Sequence, residues 1–336
     1  MRKMVFSLAL LLILLLGGLF YFRNQVYYSH GAEKQVVIFE VKKGDGNGLI
    51  AANLENRKLI SSKLYFYYYI YTNHFLNKIM PGSYMLSGNL TIPEIVHAIT
   101  NPEAQAVKIT FPEGLTAQNM ATLLDKNGFD GDGFLQLANN VPESFRKQYA
   151  FLADTKATSL EGYLFPDTYF FKKELTAESI ARKMLDNFEN RMDDSILTEI
   201  KNQNKSLNDV MILASIVEKE VPTVADMKIV AGIFENRLSI NMPLQSDATL
   251  SYILNDTVDS HTIDQTKMIS PYNTYNNKGL PPGPIANPGM QAILAVVYPQ
   301  KSDYSYFLTA GTGADKKTYY AKTYEEHLTN KQKAGL

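Results

Sequence analysis

The first feature of the hydrophobic pattern is an uninterrupted apolar run, Met4 to Phe22 (MVFSLALLLILLLGGLFYF), 19 residues without a charge. That is close to the ~20 residues a helix needs to cross the hydrocarbon core of a bilayer. No small-x-small cleavage site follows Gly18. The chain continues LFYFRNQVYY, with bulky aromatics where the membrane edge would fall, so the pattern predicts an uncleaved transmembrane anchor over 4–22 rather than a removed signal. Arg2 and Lys3 favour a cytoplasmic tail at 1–3 and a body outside, although Arg23 and Lys34 weaken the asymmetry. A polar stretch over 23–35 reads as a linker.

Beyond it the period changes. Val36–Val41 alternates as a strand does, Lys43-Gly44 makes a turn, and Gly48–Leu59 has helical spacing. The unit recurs at an offset of 70, which sets Gly44 on Gly114, Ile50 on Met120, Ala51 on Ala121 and Leu54 on Leu124. A weaker third copy starts at Tyr84-Met85-Leu86. Thr91 and Thr116 stand where helix N-caps are expected, their hydroxyls placed to accept an unpaired backbone N–H. Between copies, Leu64–Tyr71 (LYFYYYIY) is aromatic on all sides, which suits either a buried core or a platform for sugar faces. From about residue 133 the helical patterns lengthen, as in Ala177–Arg191 and Leu207–Glu220, so the expected organisation is a repeat region over 36–132 and a helix-rich domain over 133–336. Gly279–Gly289 (GLPPGPIANPG) can be neither helix nor central strand and is expected to be a rigid loop. Met290–Val297 then reads as helix and Tyr304–Thr309 as strand. The fold class is α+β.

Composition narrows the chemistry. The 336 residues carry Lys+Arg 33 against Asp+Glu 34, so nothing marks a nucleic-acid partner. With Cys 0, there can be no disulfide, thiolate zinc site or cysteine nucleophile. The five histidines, His30, His74, His97, His261 and His327, show no i,i+4 pair or HExxH spacing, so no metal is expected. Neither GxSxG nor GxxxxGK[ST] occurs. Carboxylate chemistry remains.

Ser206–Val221 (SLNDVMILASIVEKEV) opens with a capping signal, Ser206 with Asp209, and must stop before Pro222. Glu218 and Glu220 therefore share its last turn, and at ~100° per residue they point about 200° apart. Glu220 continues the stripe of Leu213, Ile216 and Val217, where desolvation and the negative end of the helix dipole would both raise its pKa. Two solvated glutamates at a helix end are the plain alternative.

The strings ASIVEKE (214–220), ENRL (235–238), LQSDATL (244–250), PYNTYNNKGLPPGPIANPG (271–289) and EGYLFPDTY (161–169) resemble the endolytic murein transglycosylase family, the MltG/YceG-like proteins. Order and spacing agree over nearly the whole chain. The resemblance implies a LysM-like α/β repeat region, an α+β catalytic domain, and Glu220 as catalytic acid. It also implies that Gln245, Asp247, Thr249, Tyr272, Asn273, Thr274 and Tyr275 line a glycan cleft, although each residue type suits turn stabilisation equally well. Glu161 and Asp167 are weaker candidates, for a cap or a far wall, and Glu218 is a weaker candidate for the site. Where the family carries a small hydroxyl residue after the glutamate, this chain has Val221, so a hydrogen bond behind the acid is expected to be missing.

The implied reaction is lytic. The bond from N-acetylmuramic acid to N-acetylglucosamine is broken inside a strand by the sugar's own C6 hydroxyl, leaving a 1,6-anhydro end. One carboxyl then serves as acid and base, where hydrolysis needs two. No cofactor is required. The expected setting is a bacterial plasma membrane, crossed once, with the catalytic part extracytoplasmic, peptidoglycan strands as substrate and peptidoglycan synthases as candidate protein partners. Two other readings stand beside this one: a non-catalytic glycan-binding scaffold and a hydrolytic muramidase.

Overall fold

A computed structural model describes residues 2–101, 106–154, 157–256, 258, 260–311 and 316–335. It is a mixed α+β structure in two compact units, Met1–Ile109 with Phe170–Glu174, and Thr110–Tyr169 with Leu175–Leu336.

The first unit begins with the apolar helix α1 (Arg2–Tyr27). Its side chains from Leu10 to Leu16 and from Leu19 to Tyr21 stand exposed, and by length and composition it can cross a membrane. The helix runs past the expected end at Phe22 because its last turn has something to pack on: Val26 is buried and α1 meets two later helices. The rest of the stretch read as a linker is also tied down. Ser61 donates to Gln25 Oε1 (2.8 Å), and the Glu33 N–H donates to the Lys58 carbonyl (3.0 Å).

Next come β1 (Val37–Val41), α2 (Asn47–Asn56), α3 (Lys63–Thr72) and β2 (Gly82–Leu86). β1 and β2 pair antiparallel, from Val37↔Leu86 to Val41↔Gly82, with both helices between them in sequence. Alternation puts Phe39, Val41, Tyr84 and Leu86 on the buried face. There they meet Ile50 and Leu54 of α2, Phe66 and Ile70 of α3, and Ile92, Ile95, Val96 and Ile99 of α4 (Ile92–Thr100). Gly44 makes the turn into α2 at φ +95°, a left-handed value that glycine reaches without strain. Thr91 caps α4 reciprocally with Glu94. The aromatic run forms α3, and it is neither all core nor all platform, since Phe66 and Ile70 are buried while Leu64, Tyr67, Tyr68 and Tyr71 are exposed.

Strand β3 (Ala106–Thr110) pairs with β4 (Thr168–Lys172). The chain passes from one unit to the other along these two strands. The second turn-and-helix copy, with α5 (Ala117–Lys126), belongs to the second unit, where α5 packs on α6 (Gly131–Asn139). After α7 (Glu143–Gln148) and α8 (Ala150–Asp154) come the long helices α9 (Ala177–Arg191), α10 (Asp194–Asn202), α11 (Leu207–Glu220) and α12 (Val224–Ser239). Shorter elements follow: α13 (Asp247–Leu254), α14 (Ile263–Thr266), α15 (Met290–Val297), the antiparallel pair β5 (Tyr306–Ala310) and β6 (Lys317–Ala321), and α16 (Tyr324–Ala334).

The hub is α11. Every side chain from Val210 to Val217 is buried, so the helix has no solvent face along that stretch, with α12, α15, α10 and α13 packed against it. Gly279–Gly289 is irregular as expected. The Ile285 N–H donates to Ser215 Oγ of α11 (3.0 Å), which removes one of the few backbone donors that the prolines leave.

Candidate active site

Helix α11 stops at Val221, extended at φ −143°, ahead of Pro222. Its last turn emerges from the hub, and the two glutamates leave it into different surroundings. Partly buried Glu220 accepts the hydroxyl proton of buried Ser246 and the Ala248 N–H. Ser246 is the N-cap of α13 and Ala248 lies in that helix's first turn. The negative end of α11 and the positive end of α13 therefore meet at one carboxyl group. Burial pushes the Glu220 pKa up to about 7, helped by the neighbouring Asp247 carboxylate and opposed by the Ser246 and Ala248 donors and the Arg237 guanidinium. Such a group holds a proton near neutrality and has donors ready for the anion it leaves.

The other expected residues fall into two sets. Thr249, Asn273 and Thr274 are buried and bonded within the frame. Thr274 Oγ1 accepts the Ser246 N–H (3.0 Å), and the Thr249 hydroxyl donates to the Ser246 carbonyl (2.7 Å), so both fix the residue that holds Glu220. The Asn273 side chain donates to the Thr266 and Met268 carbonyls (3.0 and 2.7 Å) and accepts the Tyr275 N–H (2.9 Å). The residues with accessible side chains are Gln245, Asp247, Tyr272 and Tyr275. Gln245 has a left-handed φ of +50°, costly for a side chain, and is held there by its N–H to the Thr274 carbonyl (3.0 Å). Tyr275 hydrogen-bonds Asp247, and burial together with that carboxylate and Glu220 raises its pKa. Tyr272 lies apart, its ring 5.1 Å from that of Tyr252.

Glu218 and Glu161 do not join this cluster. Glu218 accepts the Gly289 N–H (3.0 Å) and so caps α15, whose N-cap glycine has no side chain to do it. Its pKa is also pushed up to about 7, by burial and then by Glu113 nearby. A raised pKa alone does not separate the two glutamates; their neighbours do. Glu161, buried, accepts the Ala117 N–H at the start of α5 (3.0 Å to each oxygen) and an N–H from Asn287 (2.6 Å). Asn287 in turn accepts from the Gly162 and Leu164 N–H groups (2.8 and 3.0 Å) and donates to the Leu115 carbonyl (3.0 Å). Asp167 accepts from Asn187 and pairs with Arg191 at 3.1 Å.

Ser246, Arg237 and His261 belong to the site, although the sequence did not single them out. A hydroxyl bonded to Glu220 comes from Ser246, 26 residues further along the chain. Arg237 is buried, its Nε and Nη1 donating to the Ser305 and Leu244 carbonyls (2.8 and 2.5 Å), which fixes in place a positive charge that favours ionised Glu220. The enclosed His261 ring sits between Asp247 (3.2 Å) and Asp256 (3.4 Å). Ser246 and Arg237 stand inside the strings LQSDATL and ENRL. Only the folded chain shows that they converge.

Comparison with known proteins gives consistent matches. The model of the YceG-like family matches residues 39–333. A Bacillus subtilis (strain 168) protein named endolytic murein transglycosylase is 31% identical over 334 residues, covering 95% of this chain and 91% of that protein. A protein of the same name from Streptococcus pneumoniae serotype 2 (strain D39 / NCTC 7466) is 30% identical over 355 residues, 96% of this chain but 63% of that longer relative. The 2.6 Å crystal structure of a yceG-like protein from Listeria monocytogenes superposes with a TM-score of 0.60 at 33% identity, over 88% of this chain and 99% of that one.

Proposed function

Given that the chain belongs to the YceG-like family, we propose that it is an endolytic peptidoglycan lytic transglycosylase with Glu220 as its acid and base. The observation that carries this reading is the cluster at Glu220: one carboxyl group that holds a proton near neutrality, beside donors that stabilise its anion. Glu220 gives its proton to the glycosidic oxygen as the bond from N-acetylmuramic acid to N-acetylglucosamine breaks. Ser246, the Ala248 N–H and Arg237 then hold the carboxylate, and Asp247 faces the positive charge that develops on the sugar ring. The sugar's C6 hydroxyl closes on C1 and Glu220 takes up its proton, which leaves a 1,6-anhydro end and the enzyme as it began. Gln245, Asp247, Tyr272 and Tyr275 contact glycan, and Thr249, Asn273 and Thr274 hold the frame.

The remaining assignments follow the same reading. Helix α1 crosses the plasma membrane once and keeps both units on the extracytoplasmic side, close to newly exported strands, whose elongation the cut ends; peptidoglycan synthases are the protein partners this position suits. The repeat region over 36–132 is LysM-like and binds glycan, a reading that its strand-and-helix elements support. Mass spectrometry of wall digested by the full chain tests the reaction. Anhydro ends without new reducing ends are expected; new reducing ends would identify a hydrolytic muramidase, with Asp247 as its second carboxylate, and undigested wall a binding scaffold.

A further inference from the structure

Three stripes divide the surface of α3. Phe66 and Ile70 enter the core, and Tyr65 and Tyr69 pack against α1. Leu64, Tyr67, Tyr68 and Tyr71, at i, i+3, i+4 and i+7, form one contiguous face that is 71%, 46%, 49% and 64% exposed. We propose that this face rests in the headgroup layer of the bilayer that α1 spans, so that the first unit lies against the lipid surface; this relies on the reading of α1 as a membrane anchor.

The occupant is fixed by where α3 is attached. The Phe22 ring closes the exposed apolar run of α1 and lies 5.3 Å from Tyr65 and 4.6 Å from Tyr68, edge-on to both. Tyr27 meets Tyr69 at 6.2 Å, and Ser61 is bonded to Gln25. These attachments run from Phe22 to Tyr27, about 7.5 Å of helix axis at the α-helical rise. The headgroup layer is about 5–8 Å thick per leaflet. The packing that seats α3 on α1 thus sets it at that depth. Tyrosine suits it, with an apolar ring for the acyl boundary and a hydroxyl for water and esters. Exposed Arg23 follows Phe22 and exposed Lys63 precedes Leu64 in sequence, bringing positive charge to lipid phosphates. Facing water instead, these side chains would leave an apolar patch against solvent.

Tyrosine rings also stack on sugars, and the two occupants differ in one measurable way, because a face kept for glycan stays in water when vesicles are present. The chain has no cysteine, so a single nitroxide can be placed by Tyr67→Cys, Tyr71→Cys or, within the span, Ile13→Cys. The full chain is reconstituted in phosphatidylcholine/phosphatidylglycerol vesicles, and collisions with oxygen and with a neutral nickel chelate are measured. At Tyr67→Cys and Tyr71→Cys, chelate collisions should drop several-fold below those of a freely exposed label and report phosphate depth, with Ile13→Cys in hydrocarbon. If Ile13→Cys is in hydrocarbon while both α3 labels stay open to the chelate, the seating is overturned and the anchor stands. If Ile13→Cys is itself open to the chelate, the anchor fails and the seating with it.

Discussion

Glu218 and Glu220 are two residues apart and both have pKa values near 7, yet their tasks differ because of what each touches. Glu220→Gln keeps the shape and removes the transferable proton. Glycan cleavage by this variant should fall on the order of 10²–10⁴-fold while its melting curve stays close to the parent's. Glu218→Gln keeps an oxygen for the Gly289 N–H and should retain most activity; the opposite pattern would exchange the roles. The hydroxyl of Ser246 favours the ionised form of Glu220, so its removal raises the carboxyl pKa further. For the parent, kcat/KM should fall about tenfold per pH unit above about pH 7, where the acid loses its proton. Ser246→Ala should be slower, with that alkaline limb moved to higher pH; a lower rate on an unmoved limb would make Ser246 merely structural. At this scale the sequence was half legible. Helical periodicity separated the directions of Glu218 and Glu220, but the partners of Glu220 come from Arg237 and from Ser246 to Ala248, and no local spacing announces that they meet it.

Elements were more legible than their fastenings. The strand-turn-helix copies, the caps at Thr91 and Thr116 and the irregular course of Gly279–Gly289 all follow from local chemistry, and all are present. The periodicity of α11 gave an apolar stripe; the helix turned out to be enclosed, since tertiary packing buries even its polar Ser215. Nor could periodicity show what Asn287 does. That one amide holds the Gly162 and Leu164 N–H groups, the Leu115 carbonyl and Glu161, joining the proline-rich loop to two distant segments. Asn287→Ala leaves two buried donors unpaired at about 1–3 kcal/mol each, so a loss on the order of 2–6 kcal/mol is expected. Urea unfolding checks it: a stability loss below about 1 kcal/mol would mean that water replaces the amide. Glu161 adds a pH dependence with a definite sign. Burial pushes its folded pKa up to about 7, above the usual carboxylate value near 4.5, so its contribution is fully present below about pH 4.5 and is lost as pH rises through 7. Over that window unfolding midpoints should fall, and less so in Glu161→Gln.

Across the whole molecule, the pattern of the first 35 residues separated an apolar helix long enough to span a membrane from a polar stretch, but it could not show that the polar stretch packs. Val26 is buried, and a Cβ on Gly31 would stand 2.4 Å from Gly88 Cα. A body beginning at Arg23 should therefore be soluble and melt higher than one beginning at Val36, which loses the Val26 contact and the Glu33 bonds; equal melting temperatures would restore the linker to a passive role. Repeated local patterns likewise say nothing of which compact unit a copy joins. The two-strand passage between units also limits how the protein can be dissected. Residues 170–174 travel with the first unit although they follow sixty residues of the second, so neither unit is a continuous stretch of gene. A clone of 110–336 would carry β4 stripped of β3, an open edge with unpaired N–H and C=O groups ready to recruit another chain. Aggregation of that fragment would reflect where it was cut, not an inability of the catalytic unit to fold, and a clean excision must replace the 170–174 segment with a short turn.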